Sequence, residues 1–172
     1  MREGSQFALS PHLTVRDVAR SARWYARALG FQVRLMLPGG VGGAIRHAEI
    51  EHGGAGVMLG PESPERGLLS PYSRGTPPSV SLFLRVASVD AAHAQAVSEG
   101  AHPLVAPGDQ FFGARTAVIA DPDGHQWMLA EQHRQMSEGE LREVLEKEPR
   151  SGARGHAAAR QLRKPRTPHV GV

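Results

Sequence analysis

Imidazoles and carboxylates on strand-like segments are the residues of this chain whose spacing could do chemistry. His47 and Glu49 stand two apart in Ile45-Arg46-His47-Ala48-Glu49-Ile50, where polar and apolar residues alternate. On a strand both project from one face, with Ala48 and Ile50 on the other. Imidazole nitrogen and carboxylate oxygen are donors for zinc, iron or manganese, and a carboxylate can also act as a general base. A solvated strand face gives the same pattern, which His52 continues onto a turn. Arg115, close to Gln110, has the guanidinium geometry that grips a carboxylate or phosphate, or else forms a structural ion pair. His125 follows Asp121-Pro122-Asp123-Gly124, a turn sequence, and reads as a turn-solvated histidine. The sequence has no cysteine, which removes disulfide frameworks, zinc knuckles and thiol nucleophiles together. The glycines between Gly39 and Gly43 are not a phosphate loop, because neither Lys-Ser/Thr nor a helix start follows.

The elements that must position these residues come in two copies. Leu13-Thr14-Val15 and Leu84-Arg85-Val86 are strand ends 71 residues apart. Leu29-Gly30-Phe31 matches Glu99-Gly100-Ala101, and Val57-Met58-Leu59 matches Trp127-Met128-Leu129, both at an offset of 70. A constant offset through three landmarks marks an internal duplication. Each copy reads strand–helix–strand–strand–strand. In the first, a strand over Phe7–Val15 leads through Asp17, an N-cap residue, into a helix from Val18 to Leu29. Phe31, Val33, Leu35 and Leu37 then alternate with Gln32, Arg34 and Met36, and Ile45–Glu51 and Gly56–Leu59 complete the copy. In the second, Val80–Val86 is followed by a helix over Ala91–Glu99 capped by Asp90. Strands follow near Pro103–Ala106, Arg115–Ala120 and Gln126–Ala130. Alternation puts Ser81, Phe83 and Arg85 on one face and Val80, Leu82, Leu84 and Val86 on the other. The linker Gly60–Pro78 carries five prolines, a length common in lids and interfaces.

The net charge of +3 and pI near 9.9 suggest nucleic acid at first sight. From Pro149 to Val172, however, lie six basic residues and no acid, so residues 1–148 hold 14 bases against 17 acids, a net of −3. The tail 149–172, rich in Pro, Gly, Ala and Arg, is expected to be disordered, and it has no aromatic residue to stack on bases. Nucleic acid is therefore not the expected partner. Ser137-Glu138-Gly139-Glu140 has capping-box spacing, and Leu141, Val144 and Leu145 form the apolar stripe of a helix within 134–148. No apolar run is long enough to span a membrane and the first ten residues do not resemble a signal peptide, so the cytoplasm is the expected location.

The duplication, together with Pro11-His12-Leu13-Thr14-Val15-Arg16-Asp17, Trp24-Tyr25 and Asp121-Pro122-Asp123-Gly124-His125, resembles the vicinal-oxygen-chelate superfamily of glyoxalases, extradiol dioxygenases and bleomycin-resistance proteins. Asp109-Gln110-Phe111-Phe112-Gly113 resembles its glyoxalase-like branch. The resemblance covers about residues 7–133. It implies an α+β fold of two tandem βαβββ modules, about 7–60 and 79–131, whose eight mostly antiparallel strands curve around a cavity. It also implies a homodimer. The four positions that supply metal ligands in metal-using members fall on His12, Met58, Phe83 and Met128, of which only His12 is a conventional ligand. The cavity floor is then Met58, Met128, Phe83 and Met36, polarizable and apolar, with His12, His47, Glu49, Gln110 and Arg115 as polar contacts. The expectation is a metal-independent protein of the bleomycin-resistance type that binds an aromatic or amphipathic small molecule, with no cofactor. The alternative is a lyase, isomerase or dioxygenase holding zinc, iron or manganese on His12, His47 and Glu49.

Overall fold

A computed structural model describes residues 9–39 and 42–147. Helix α1 (Val18–Leu29) forms where apolar residues recur at helical spacing, and Val18, Ala22, Tyr25 and Leu29 are all buried. Its ends follow local rules. Asp17 accepts the Arg20 N–H at 2.9 Å, and Gly30 takes the left-handed conformation (φ 70°) that closes the last turn.

The remaining elements of the first module are β1 (His12–Val15), β2 (Gln32–Pro38), β3 (Ile45–His52) and β4 (Ala55–Pro61). They form a sheet in the order β1-β4-β3-β2, with β1 parallel to β4 and the other pairs antiparallel. The second module repeats this with β5 (Ser81–Arg85), α3 (Val89–Ser98), β6 (His102–Asp109), β7 (Ala114–Ala120) and β8 (Gln126–Gln132), ordered β5-β8-β7-β6. The eight expected strands thus divide into two four-stranded mixed sheets. Residues 7 and 8 of the expected first strand, and the tail from 149 onward, lie outside the described residues.

Two sequence expectations change. Helix α3 starts earlier, because Ser88 rather than Asp90 is its N-cap, its hydroxyl accepting the Ala91 N–H at 3.3 Å. Asp90, inside the first turn, pairs instead with Arg115. In β2 the register slips between Val33 and Leu35, a bulge that breaks the period of two. Before it, Val33 faces Ile50; after it, Leu35 faces Glu49 and Met36 faces Ala48. Met36 therefore packs on the core side, whereas Leu35 and Leu37 join the opposite face and stay 37% and 45% exposed.

One core serves both modules, with α1 against β3 and α3 and α3 against β6 and β7. Tyr25, Phe31 and Trp127 meet edge to face at 5.4–5.7 Å between ring centroids. Polar groups join the modules beside these rings. The Tyr25 hydroxyl donates to Asp121 Oδ2, and Trp127 Nε1 approaches the same oxygen at 3.4 Å. Asp121 Oδ1 accepts the N–H groups of Asp123 and His125, each at 2.9 Å. Asp123 accepts from Arg16 Nε at 2.9 Å and from Ser21 Oγ at 2.6 Å. Burial pushes the Asp121 carboxyl up from its ordinary pKa, and burial with the nearby Asp121 raises Tyr25.

The linker contains a 3-10 turn (Pro64–Arg66) and α2 (Pro71–Arg74). Buried Ser70 donates through N and Oγ to Glu62 Oε1, at 2.9 and 2.6 Å, and caps α2 by accepting the Ser73 N–H. After the second module, Ser137 and Glu140 exchange the hydrogen bonds of a capping box at the start of α4 (Glu138–Lys147). Leu141 and Val144 are half-buried there, but Leu145 is exposed.

Candidate functional site

The helices cover one face of each sheet and leave the other open. On β1 and β4, Leu13, Val15, Val57 and Leu59 point to the core, so His12 and Met58 point away from it. His12 pairs with Met58, Met58 with Glu49, and Glu49 with Leu35, so these four side chains form one row across the open face. His47 sits in the next row, opposite Leu37. His47 Nε2 lies 3.4 Å from Glu49 Oε1.

The His12 ring lies over Gly60, where an added Cβ would come within 2.6 Å of the ring carbon Cε1. The missing side chain at position 60 is what gives the imidazole its place. Partial burial lowers the His12 pKa below the usual histidine value, and the neighbouring His47 adds to the effect. Burial thus favours the uncharged imidazole, which offers a single N–H donor and a single acceptor.

The second module's open face is apolar. Phe83 pairs with Met128, Met128 with Val118, and Val118 with Val105, the same kind of row. Phe83 remains 56% exposed and Val105 40%. Two residues further along β5, Arg85 pairs with Ala130 on this face. It lines a cleft with Phe112, Gln132, Gln135, Met136 and Leu141.

Of the residues singled out from sequence, His12, His47, Glu49 and Met58 share one open face, and Phe83 and Met128 share the other. Three fall elsewhere. Met36 packs against the core because of the bulge. Arg115 lies on the helix side of β7, where its guanidinium bonds Asp90 at 2.7 and 3.0 Å and Asp109 at 3.0 Å. That hydrogen bonding from Arg115 lowers the Asp90 pKa, and the guanidinium is raised in turn. Gln110 belongs to the β6–β7 turn, its side-chain amide donating to the Gly108 carbonyl at 3.2 Å. His125 is not simply solvated, since its Nε2 donates to the Thr14 carbonyl of the other module at 2.9 Å. Alternation puts Arg85 on the face of Phe83, but sequence reasoning did not single it out as a site residue. Its signal was present, two residues after Phe83 on an alternating strand.

The donor chemistry does not fit the superfamily's metal. Of the four central positions only His12 offers a nitrogen, while two thioethers and a phenyl ring occupy the others. Among the described residues no three His, Asp or Glu side chains are grouped to hold an ion, His12, His47 and Glu49 included.

A family model for the glyoxalase/bleomycin resistance protein/dioxygenase superfamily matches residues 7–129. Uncharacterized proteins from Mycobacterium bovis and Mycobacterium tuberculosis are 36% identical over 141 residues, covering 80% of this chain and 91% and 82% of theirs. Among solved structures, protein PA1353 from Pseudomonas aeruginosa is similar in fold, with TM-score 0.57, 23% identity and coverage of 74% of this chain and 98% of its own. A glyoxalase-related enzyme from Fulvimarina pelagi gives TM-score 0.55 at 21% identity, covering 74% of this chain and 89% of its own. Among the described residues, no helix is long and apolar enough to cross a membrane.

Proposed function

Because the chain belongs to the glyoxalase/bleomycin resistance protein/dioxygenase superfamily, we propose that it is a cytoplasmic homodimer that binds or sequesters an aromatic or amphipathic small molecule without a metal, in the manner of bleomycin-resistance proteins. The row Phe83–Met128–Val118–Val105 carries this reading. These side chains stand on an open face, in part strongly exposed, and include two of the positions where metal-using members place ligands. Exposed apolar surface of this kind marks a binding or association face, and Met and Phe adapt to ligands of irregular outline. Apposing the open face of one protomer's first module to that of its partner's second module would enclose a cavity. One wall would carry His12, His47 and Glu49, the other Phe83, Met128 and Arg85.

Sedimentation should give a dimer, and a thermal-shift screen of aromatic and amphipathic compounds in the presence of chelator should raise the melting temperature. Binding at a hundred times Kd stabilises by about 2.7 kcal/mol. A monomer with no ligand response, or a response to divalent ions alone, would refute the reading. Stoichiometric zinc, iron or manganese that is lost in His47→Ala would favour the metal-dependent lyase, isomerase or dioxygenase instead.

A further inference from the structure

Where the two modules meet, β1, the start of β5 and the linker around α2 surround a cleft of about 390 Å³. Its apolar wall is aliphatic: Pro11, Leu69, Pro71, Pro78, Val80 and Leu82. Val80 is 67% exposed, a large apolar side chain left open at the rim. The ionisable lining is basic, with Arg74, His12 and His125, and among the described residues no carboxylate lines the cleft. His12 and Thr14 of β1 are shared with the open face of the first sheet.

The wall is built rather than loose. Besides the Ser70–Glu62 anchor, the Tyr72 N–H donates to the Asp123 carbonyl at 2.9 Å. The Arg16 guanidinium stacks 3.9 Å above the Tyr72 ring. Gly124 (φ 87°) permits this approach, since a Cβ there would stand 2.9 Å from the Tyr72 nitrogen. These contacts hold α2, and Arg74 is its last residue.

The charges set the ligand class. Arg74 has no ion-pair partner among the described residues. His125 uses its Nε2 proton on Thr14, and burial disfavours the charged form of His12. One guanidinium with a two-pronged donor edge therefore faces an aliphatic wall that carries no Phe, Tyr or Trp. We propose that this cleft binds an aliphatic monocarboxylate, its carboxylate on Arg74 and its hydrocarbon chain against Leu69, Val80 and Leu82. The site does not depend on what the sheet faces bind.

The test is amide and methyl NMR titration of the full chain with octanoate, octanamide and inorganic phosphate. Octanoate should shift and saturate the resonances of Arg74, Val80 and Leu82. Octanamide, which lacks the charge, and phosphate, which lacks the chain, should each bind at least about tenfold more weakly, the effect of one charge-assisted hydrogen bond. Arg74→Gln should weaken octanoate by a similar factor and Arg74→Lys by less, whereas Arg23→Gln, the same charge loss on the exposed side of α1, should leave it unchanged. Val80→Asp, at an exposed position, should abolish binding without unfolding the chain. No octanoate binding, equal binding of octanamide or phosphate, equal weakening by Arg23→Gln, or shifts confined to Phe83 and Met128 would each overturn the proposal.

Discussion

Replacing Tyr25 by Phe removes one hydroxyl from the polar joint between the modules, and the consequence can be worked out from the structure. Tyr25 is buried, and its hydroxyl donates to Asp121 Oδ2. That oxygen is also approached by Trp127 Nε1 at 3.4 Å, a long and weak contact. A hydrogen bond to a charged group contributes roughly 1.5–3 kcal/mol net. Stability near neutral pH should therefore fall by about 2 kcal/mol, or roughly 4–8 °C in Tm for a chain of this size. The pH dependence separates this loss from mere repacking. Burial raises the folded-state pKa of Asp121, and the Tyr25 hydrogen bond opposes that rise. A carboxyl with a raised folded pKa stabilises fully below its unfolded pKa, and that stabilisation is lost as pH climbs through the folded value. Without Tyr25 the folded pKa climbs further, so the penalty belongs to the ionised form. The gap between wild type and variant should be widest near neutral pH and narrow as the solution is acidified through the Asp121 pKa. Denaturant unfolding followed by the fluorescence of buried Trp24 and Trp127, near neutrality and at about pH 4, measures both quantities. In an Asp121→Asn background the same substitution should cost only about 0.5–1.5 kcal/mol, the neutral hydrogen-bond range. A loss below about 0.5 kcal/mol, or an equal gap at both pH values, would refute the reasoning.

Three further outcomes test the placement of residues around the open faces and the seam. Leu37→Asp, on the exposed face of β2, should change monomer stability by no more than about 0.5 kcal/mol while weakening self-association in sedimentation. Met36→Asp, one residue earlier on the core side, should destabilise by about 2 kcal/mol or more in chemical denaturation. Gly60→Ala should push the His12 ring off its seat, and NMR titration should then find the imidazole pKa moved back up toward the ordinary histidine value. Arg115→Gln should lower Tm slightly through the lost Asp90 and Asp109 contacts, yet leave ligand-induced thermal shifts unchanged.

Much of the architecture was legible because local rules and the tertiary structure agree. Asp17 caps α1 and Gly30 ends it, Ser137 and Glu140 form their capping box, and the matched segments around Met58 and Met128 occupy equivalent fourth strands. The faces of β5 and β8 also follow simple alternation, so the period of two alone places Phe83 and Met128 on one face. Alternation fails in β2, where one bulged residue reverses the faces, and nothing in Val33-Arg34-Leu35-Met36 announces a bulge.

From sequence alone came the duplication and the order of its elements and, through the family resemblance, the loss of donor atoms at Met58, Phe83 and Met128. The first two rest on residue identity and spacing, which are properties of the chain itself, whereas the third also needs the ligand positions of the metal-using members. Tertiary structure decided which polar groups are free to act. Arg115 meets Asp90 from 25 residues away and is occupied, whereas Arg85 on the open face and Arg74 at the seam have no ion-pair partner among the described residues. His12 owes its depressed pKa to burial and to His47, a neighbour on another strand. Electrostatics and hydrogen bonding act through space, so availability for chemistry is settled only when distant segments pack together.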